Sequence, residues 1–155
     1  MPVCIRPASV DDDAFILGFV ERFTDFPLPV GRDRSTLDNG IRVDLALHLH
    51  ERPPSSHFFV IEDEGQRAGF VHLQLVDDFF GGGLLCHISD LAVSPGCEGR
   101  GLAGRLLEHC DSFGREHGCI RLTLSVFPGN SRARALYERY GFGVDMLRMG
   151  KALTP

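Results

Sequence analysis

The sequence predicts a mixed α/β fold in one domain covering residues 1–155, and three observations carry that expectation. Segments with helical hydrophobic spacing alternate with β-prone segments along the whole chain. A length of 155 residues suits a single domain able to bury a core of its own. The composition, 43% hydrophobic and 24% charged, is that of globular proteins rather than of disordered ones. No apolar run approaches the roughly 18 residues of a membrane span.

Val3 to Arg6 is short and β-prone. Ser9 opens a capping pattern, and Asp11, Asp12 and Asp13 complement the positive end of a helix dipole. A helix is therefore expected over Ala14 to Phe23, with Leu28-Pro29-Val30-Gly31 breaking it. Leu37, Ile41, Leu45 and Leu49 recur every four residues and predict a helix over Ser35 to Glu51, ended by Pro53-Pro54. His57 to Glu62 and Ala68 to Val76 read as strands joined by a hairpin turn at Asp63-Glu64-Gly65-Gln66. Asp77 to Gly83 is a loop, and Leu84 to Val93 is a strand stopped by Ser94-Pro95-Gly96. A long helix is expected over Gly99 to His117, with Leu102, Leu106, Cys110 and Phe113 in one stripe. Cys119 to Phe127 is a strand, Asn130 to Tyr140 a helix closed by Gly141-Phe142-Gly143, and Val144 to Leu153 a last strand.

Composition narrows the function classes. A formal net charge of −5 argues against a nucleic-acid partner and suits a cationic substrate such as an amine. The five cysteines, Cys4, Cys86, Cys97, Cys110 and Cys119, are scattered, with no CxxC pair. Neither a disulfide framework nor a metal site is indicated, and they read as small hydrophobes or surface thiols. The residues from Met1 to Arg6 show no signal-peptide pattern. The expectation is a reduced, cytoplasmic protein with no membrane partner.

Chemistry concentrates in two stretches. The first is Leu91-Ala92-Val93-Ser94-Pro95-Gly96-Cys97-Glu98-Gly99-Arg100-Gly101-Leu102-Ala103-Gly104, a strand, a glycine-rich turn and a helix start. A helix N-terminus offers unpaired N–H groups and a positive dipole end, and glycines let a phosphate come close. An anion such as a pyrophosphate suits this pattern, although a glycine-rich turn without a ligand has the same residues. It is not a Walker loop, because no GKS or GKT follows. Nor is it the dinucleotide fingerprint: Gly99-x-Gly101-x-x-Gly104 comes late and lacks an acid about 20 residues on. The second stretch runs from Asn130 to Phe142, where Asn130, Ala133 and Tyr137 share one helix face. The alanine leaves room there for a ligand, while Asn130 and Tyr137 offer polar atoms.

Together the two stretches resemble the GNAT superfamily of acyl-CoA N-acyltransferases. The family's cofactor motif, (Gln/Arg)-x-x-Gly-x-(Gly/Ala) after a strand ending Leu-Ala-Val and a proline, reads here Glu98-x-x-Gly101-x-Ala103. Its later motif, Asn-x-x-Ala-x-x-Leu-Tyr-x-x-x-Gly-Phe, is matched at every fixed position from Asn130 to Phe142. The resemblance is specific over about Cys86 to Leu153 and looser before it. It implies a central, mostly antiparallel sheet whose middle strands, Leu84–Val93 and Cys119–Phe127, splay apart, flanked by about four helices. It also implies acetyl-CoA (coenzyme A) as cosubstrate, no metal, and direct transfer of an acetyl group to an amine. Glu98 departs from the motif; its carboxylate would repel a pyrophosphate unless it points to solvent or Arg100 and Arg105 compensate.

By the same resemblance, Leu91, Ala92, Val93, Glu98, Gly99, Arg100, Gly101, Leu102, Ala103, Gly104, Asn130, Ala133 and Tyr137 would hold the cofactor. Tyr137 would protonate the departing thiolate. The base falls to His87, at the position of a catalytic Glu in histone-type members, or to Ser89, at the Glu position of polyamine-type members, through a held water; bulk water is the remaining alternative. An imidazole suits base work near neutrality. Strand alternation places His87, Ser89, Leu91 and Val93 on one face and Asp90 on the other.

Phe26 and Leu28 lie where the family forms its acceptor wall. Asp77, Asp78 and Phe80 could bind an alkylammonium by charge and cation–π contact, or form an ordinary exposed loop. His48 and His50, two residues apart on a helix, point apart and cannot chelate together. The expected activity is N-acetylation of a small-molecule primary amine. The rivals are acetylation of a protein amino group and a non-catalytic acyl-CoA-binding module. Homodimers are common in the family.

Overall fold

A computed structural model describes residues 2–153. Its organising element is the expected hairpin. β2 (Ser56–Asp63) and β3 (Gln66–Asp77) are joined through Glu64 and Gly65, both at positive φ (52° and 79°), the two-residue turn that follows the natural twist of a hairpin. β1 (Val3–Pro7) pairs antiparallel with β2, and β4 (Leu84–Val93) antiparallel with β3. β5 (Arg121–Leu124) pairs parallel with β4. The five strands lie in the order β1-β2-β3-β4-β5. The parallel pair needs a crossover, which α3 (Leu102–Glu116) supplies.

Helices cover both faces, so the central strands bury side chains on both sides. On one face α3 lays Leu106, Cys110 and Phe113 against Ile61, Val71, Leu73, Cys86 and Ile88. On the other, α1 (Asp13–Leu17) and α2 (Arg34–Glu51) bring Ile16, Leu45 and Leu49 onto Phe58, Val60 and Phe70. α2 starts at Asp33, whose carboxylate accepts from the Thr36 N–H at 2.9 Å, and stops at Arg52 in the left-handed conformation. Asp12 is fully buried and accepts from Arg6, Arg67 and the Ser9 N–H at 2.7–3.0 Å. It is thus an ion-pair hub tying β1 and β3 to the first helix, more than the dipole complement its sequence position suggests. The buried thiols of Cys86 and Cys110 are raised by desolvation, that of Cys86 to about 12, as inert packing groups.

Four expectations are corrected. The helix expected over Ala14 to Phe23 divides at Gly18, a weak helix former, into α1 and a 3₁₀ segment over Val20–Thr24. The tighter turn packs Phe19 and Phe23 on Phe70, with ring centroids 5.5 and 6.2 Å away. α3 begins at Leu102 rather than Gly99, because Gly99 and Gly101 take positive φ (79° and 73°), which no α-helix uses. β5 is shorter than Cys119–Phe127 because it leaves β4 after Leu124. Val144 to Leu153 is not a strand. Met146 and Leu147 are adjacent and both exposed, so no alternation defines a buried face, and Gly150 interrupts the run. The segment touches the body where Asp145 approaches Arg121 at 3.6 Å and Ala152 passes Gly31.

Candidate functional site

Pairing between β4 and β5 covers Leu85↔Arg121 through Ile88↔Leu124 and then stops, while β4 continues to Val93. The splay expected of the middle strands is this departure. It leaves the β5-facing backbone edge of Ser89 to Val93 open. Ser94 N–H, bonded to Ala68 O at 2.7 Å, then turns the chain away from the sheet, and a short 3₁₀ turn over Pro95–Cys97 leads to the glycines. The Arg105 N–H is bonded to Gly101 O, so the preceding N–H groups of Leu102, Ala103 and Gly104 have no partner within the helix. Side chains at Gly99 or Gly101 would project into open space, which leaves a bare backbone cradle at a helix N-terminus. That is the donor set a pyrophosphate needs. Gly104 answers a different demand: it is buried, and a side chain there would overlap the Tyr140 hydroxyl, so it lets α4 (Ser131–Arg139) sit against the first turn of α3.

Glu98 is neutralised, by residues other than those expected. Its Oε1 lies 3.0 Å from Arg22 and its Oε2 3.3 Å from Arg132. The Arg22 hydrogen bond is the main reason its carboxyl sits below the usual carboxylate range. Arg22 also donates to Val93 O at 2.8 Å. Arg100 instead reaches back to Asp63 on the β2–β3 hairpin, at 2.8 Å. Two guanidinia therefore stand beside the turn. Arg132 lies inside the second motif, but Arg22 is 76 residues away from Glu98 and had no local signal.

Asn130 caps α4, its side-chain oxygen accepting from the Ala133 N–H at 3.2 Å. Tyr137 packs against the α3-side core beside Phe142, and burial raises its phenol, so the hydroxyl keeps its proton.

Strand β4 corrects the simple alternation. Asp90 pairs with His72 and Ile88 with Leu73, so Ser89 is an inserted residue. Leu91 and Val93 stay with Ile88 on the α3 side, while Ala92 packs on the α1/α2 side. Asp90 therefore joins His87 and Ser89 on the α1/α2 face instead of opposing them. The His87 Nδ1 is 2.8 Å from Thr123 Oγ1, which ties β4 to β5 below the opening, and desolvation lowers its pKa, so the ring is neutral at pH 7. Ser89 Oγ accepts from Gln74 Nε2 at 2.7 Å. Neither Thr123 nor Gln74 was signalled by the sequence, since both act across strands.

The expected acceptor-wall residues and the candidate alkylammonium loop lie at opposite ends of β5. Phe26 and Leu28 are half-buried near the end of β5, with the Phe26 ring 5.9 Å from Phe127 and Pro27 against Gly129. Arg34 holds this segment by donating to the carbonyls of Thr24 and Phe26 at 2.9 and 2.6 Å. The loop after Asp77 lies at the other end, where Gly82 and Gly83 touch Ile120 ahead of β5. There the Asp78 carboxylate faces its own loop through the Phe80 N–H, and Phe79 and Phe80 are exposed. Among the described residues no His, Cys, Asp and Glu side chains cluster as a metal site would require, and no helix is long and apolar enough to cross a membrane.

Comparison with known proteins gives one consistent result. The acetyltransferase (GNAT) family model matches residues 19–142. An uncharacterized N-acetyltransferase of Bacillus subtilis, YdgE, is 34% identical over 104 residues, covering 66% of this chain and 65% of that protein. A second from the same organism, YhfO, is 28% identical over 141 residues, covering 91% and 90%. The fold matches that of a GCN5-related N-acetyltransferase from Ralstonia eutropha with a TM-score of 0.74 at 21% identity, covering 97% of this chain and 98% of the other.

Proposed function

Because the chain belongs to the GNAT acetyltransferase family, we propose that it moves an acetyl group from acetyl-CoA to the primary amine of a small molecule by direct transfer. The observation that carries this reading is the combination at the opening between β4 and β5. A bare glycine cradle and a helix N-terminus stand at its mouth, two guanidinia lie beside it, and a protonated Tyr137 sits on the helix docked against that cradle.

Acetyl-CoA supplies a thioester carbonyl and a thiolate that leaves. The N–H groups of Leu102, Ala103 and Gly104, reached past Gly99 and Gly101, bind its pyrophosphate, with Arg22 and Arg132 adding charge. Leu91, Ala92 and Val93 lay backbone along the opening, and one of their N–H groups polarises the carbonyl oxygen. An amine attacks only after its ammonium loses a proton. His87, neutral, takes that proton directly or through a water held at Ser89. Tyr137 gives its proton to the sulfur. We assign the acceptor wall to Phe26 and Leu28 and remove Asp77, Asp78 and Phe80 from it, given their place at the far end of β5.

Release of the CoA thiol across a panel of primary amines tests the reading. Amine-dependent release is expected, and Gly101→Val, which places a β-branched side chain at φ 73° in the cradle, should weaken CoA binding about 10-fold or more. CoA binding with no amine-dependent release across the panel would instead favour a non-catalytic module.

A further inference from the structure

Beneath α2 the sheet carries a polar construction that this chemistry leaves unused. His72, in the middle of β3, is 0% exposed, its ring stacked on Phe58 with centroids 4.0 Å apart. Its Nδ1 lies 3.0 Å from Asp90 Oδ2 on β4, and its Nε2 lies 2.6 Å from Ser56 Oγ at the head of β2. Ser56 Oγ is 3.2 Å from His48 Nδ1 on α2, and His48 Nε2 is 3.6 Å from Asp44 Oδ1. A carboxylate only accepts, so the hydrogen on His72 is at Nδ1. When Nδ1 carries the ring's one hydrogen, Nε2 accepts from the Ser56 hydroxyl, whose oxygen accepts from His48 Nδ1–H. All the bonds then run one way, from the α2 surface to Asp90, each polarising the next. The order serine, histidine, aspartate is that of a hydrolytic triad. Here a second imidazole already engages the serine oxygen, and the end of the chain with bonding capacity to spare is the carboxylate.

Asp90 stands just past the Ser89 bulge and beyond the last β4–β5 pair, on the face that carries His87 and Ser89. Its side chain is 13% exposed. Among the described residues its one ion-pair partner is His72, no Arg or Lys reaches it, and its Oδ1 accepts no hydrogen bond. A mostly buried carboxylate with one oxygen held and the other free is a fixed receptor for a cation. We propose that Asp90 binds and orients the ammonium of the acceptor, and that His72, Ser56 and His48 are positioning residues that hold its carboxylate in place. The role assigned to Asp90 rests on the acetyl-transfer reading, but its recognition of charge is measurable without turnover.

Calorimetric titration with benzylammonium and its neutral analogue benzyl alcohol, on the free and the CoA-saturated protein, tests this directly. Wild type should prefer the cation by about 10-fold or more. Asp90→Asn, isosteric and uncharged, should abolish the preference and leave CoA affinity unchanged, and in turnover it should raise the KM for the amine more than it lowers kcat. His72→Asn, which retains a donor toward Asp90, should keep most of the preference that His72→Leu loses. Ser56→Ala, at the partly exposed end of the chain, should weaken it by about 2- to 3-fold. Equal binding or no binding of the two probes by wild type, or an intact preference in Asp90→Asn, overturns the assignment. An Asp90-dependent preference in a protein that releases no thiol with any amine would leave it standing and overturn acetyl transfer instead.

Discussion

The two faces of the sheet are built on opposite rules. Toward α3 the strands present Ile61, Val71, Leu73, Cys86 and Ile88, a mainly apolar surface closed by Leu106, Cys110 and Phe113, with the His57 and His109 rings packed on Phe113 and Phe59 over β2. Toward α2 the surface begins apolar at Val60 and Phe70 and turns polar as it approaches β5, where His72, Gln74, His87, Ser89 and Asp90 bond to one another or across strands. The first face gains from any well-filled contact. The second tolerates burial only if each polar atom finds its partner. Strand register links the two: packing on the apolar face decides which polar side chains meet on the other. The Ser89 bulge is where the rules collide, keeping Leu91 and Val93 apolar-side while bringing Asp90 around to the polar group.

This contrast can be broken most severely from the apolar side. Leu73→Ala should cost about 2–5 kcal/mol by opening a cavity, whereas its neighbour Gln74→Ala should cost about 1 kcal/mol, the worth of one hydrogen bond. Urea unfolding of the two variants measures the difference, and equal losses would deny that the faces differ. Next in size is Tyr137→Phe, which keeps the packing against the α3-side core and removes only the hydroxyl. Turnover should fall about 10²-fold with CoA affinity unchanged, and full activity would assign that proton to water.

On the polar face, His87→Ala should slow turnover about 10-fold. Burial depresses the His87 pKa, so the wild-type rate should rise with pH below about 6.5 and level off above it. Two acceptors of different basicity separate this limb from the amine's own titration; a limb that follows the acceptor and survives in His87→Ala would make the histidine structural. The same burial depresses His57 and His109. For all three the unfolded chain binds protons more readily than the folded one. The stability they confer is therefore complete above about pH 6.5 and lost as pH falls through their folded values. Asp12, held far below the carboxylate range chiefly by Arg6, adds a second loss below about pH 4. A urea midpoint constant from pH 7.5 to 5 would show these imidazoles to be hydrated. The smallest effect belongs to Glu98→Gln, which frees Arg22 and Arg132 for the cofactor. CoA should bind about 2- to 3-fold more tightly, while loss of these partly exposed pairs changes stability by less than about 1 kcal/mol.

What could be read from the sequence was local. The Asp63-to-Gln66 turn, the helix expected over Ser35 to Glu51 and the glycines before α3 each announce themselves within a few residues, because turn chemistry and helical spacing are short-range physics. The GNAT motifs are legible for the same reason. The partners of Glu98, the link from His87 to Thr123 and the chain through His72 join residues 8 to 76 positions apart, wherever the register happens to bring them. No periodicity encodes such meetings, and a bulge of one residue reverses any attempt to extrapolate them. The same limit explains Val144 to Leu153, where apolar content suggested a strand but a strand exists only where a neighbour supplies the other half of the ladder.

The early end of β4–β5 pairing makes the sheet a zipper left partly undone. A ligand whose amides lie along the open edge of Ser89 to Val93 supplies rungs that the chain lacks, so occupancy and cohesion become one property. At about 100 times its dissociation constant such a ligand stabilises the native state by about 2.7 kcal/mol, or roughly 5–10 °C in melting temperature for a chain of this size. The gain should concentrate in the amides of β4 and β5, whose hydrogen exchange would slow before that of β1, making the empty protein softest along the seam to which we assign its chemistry.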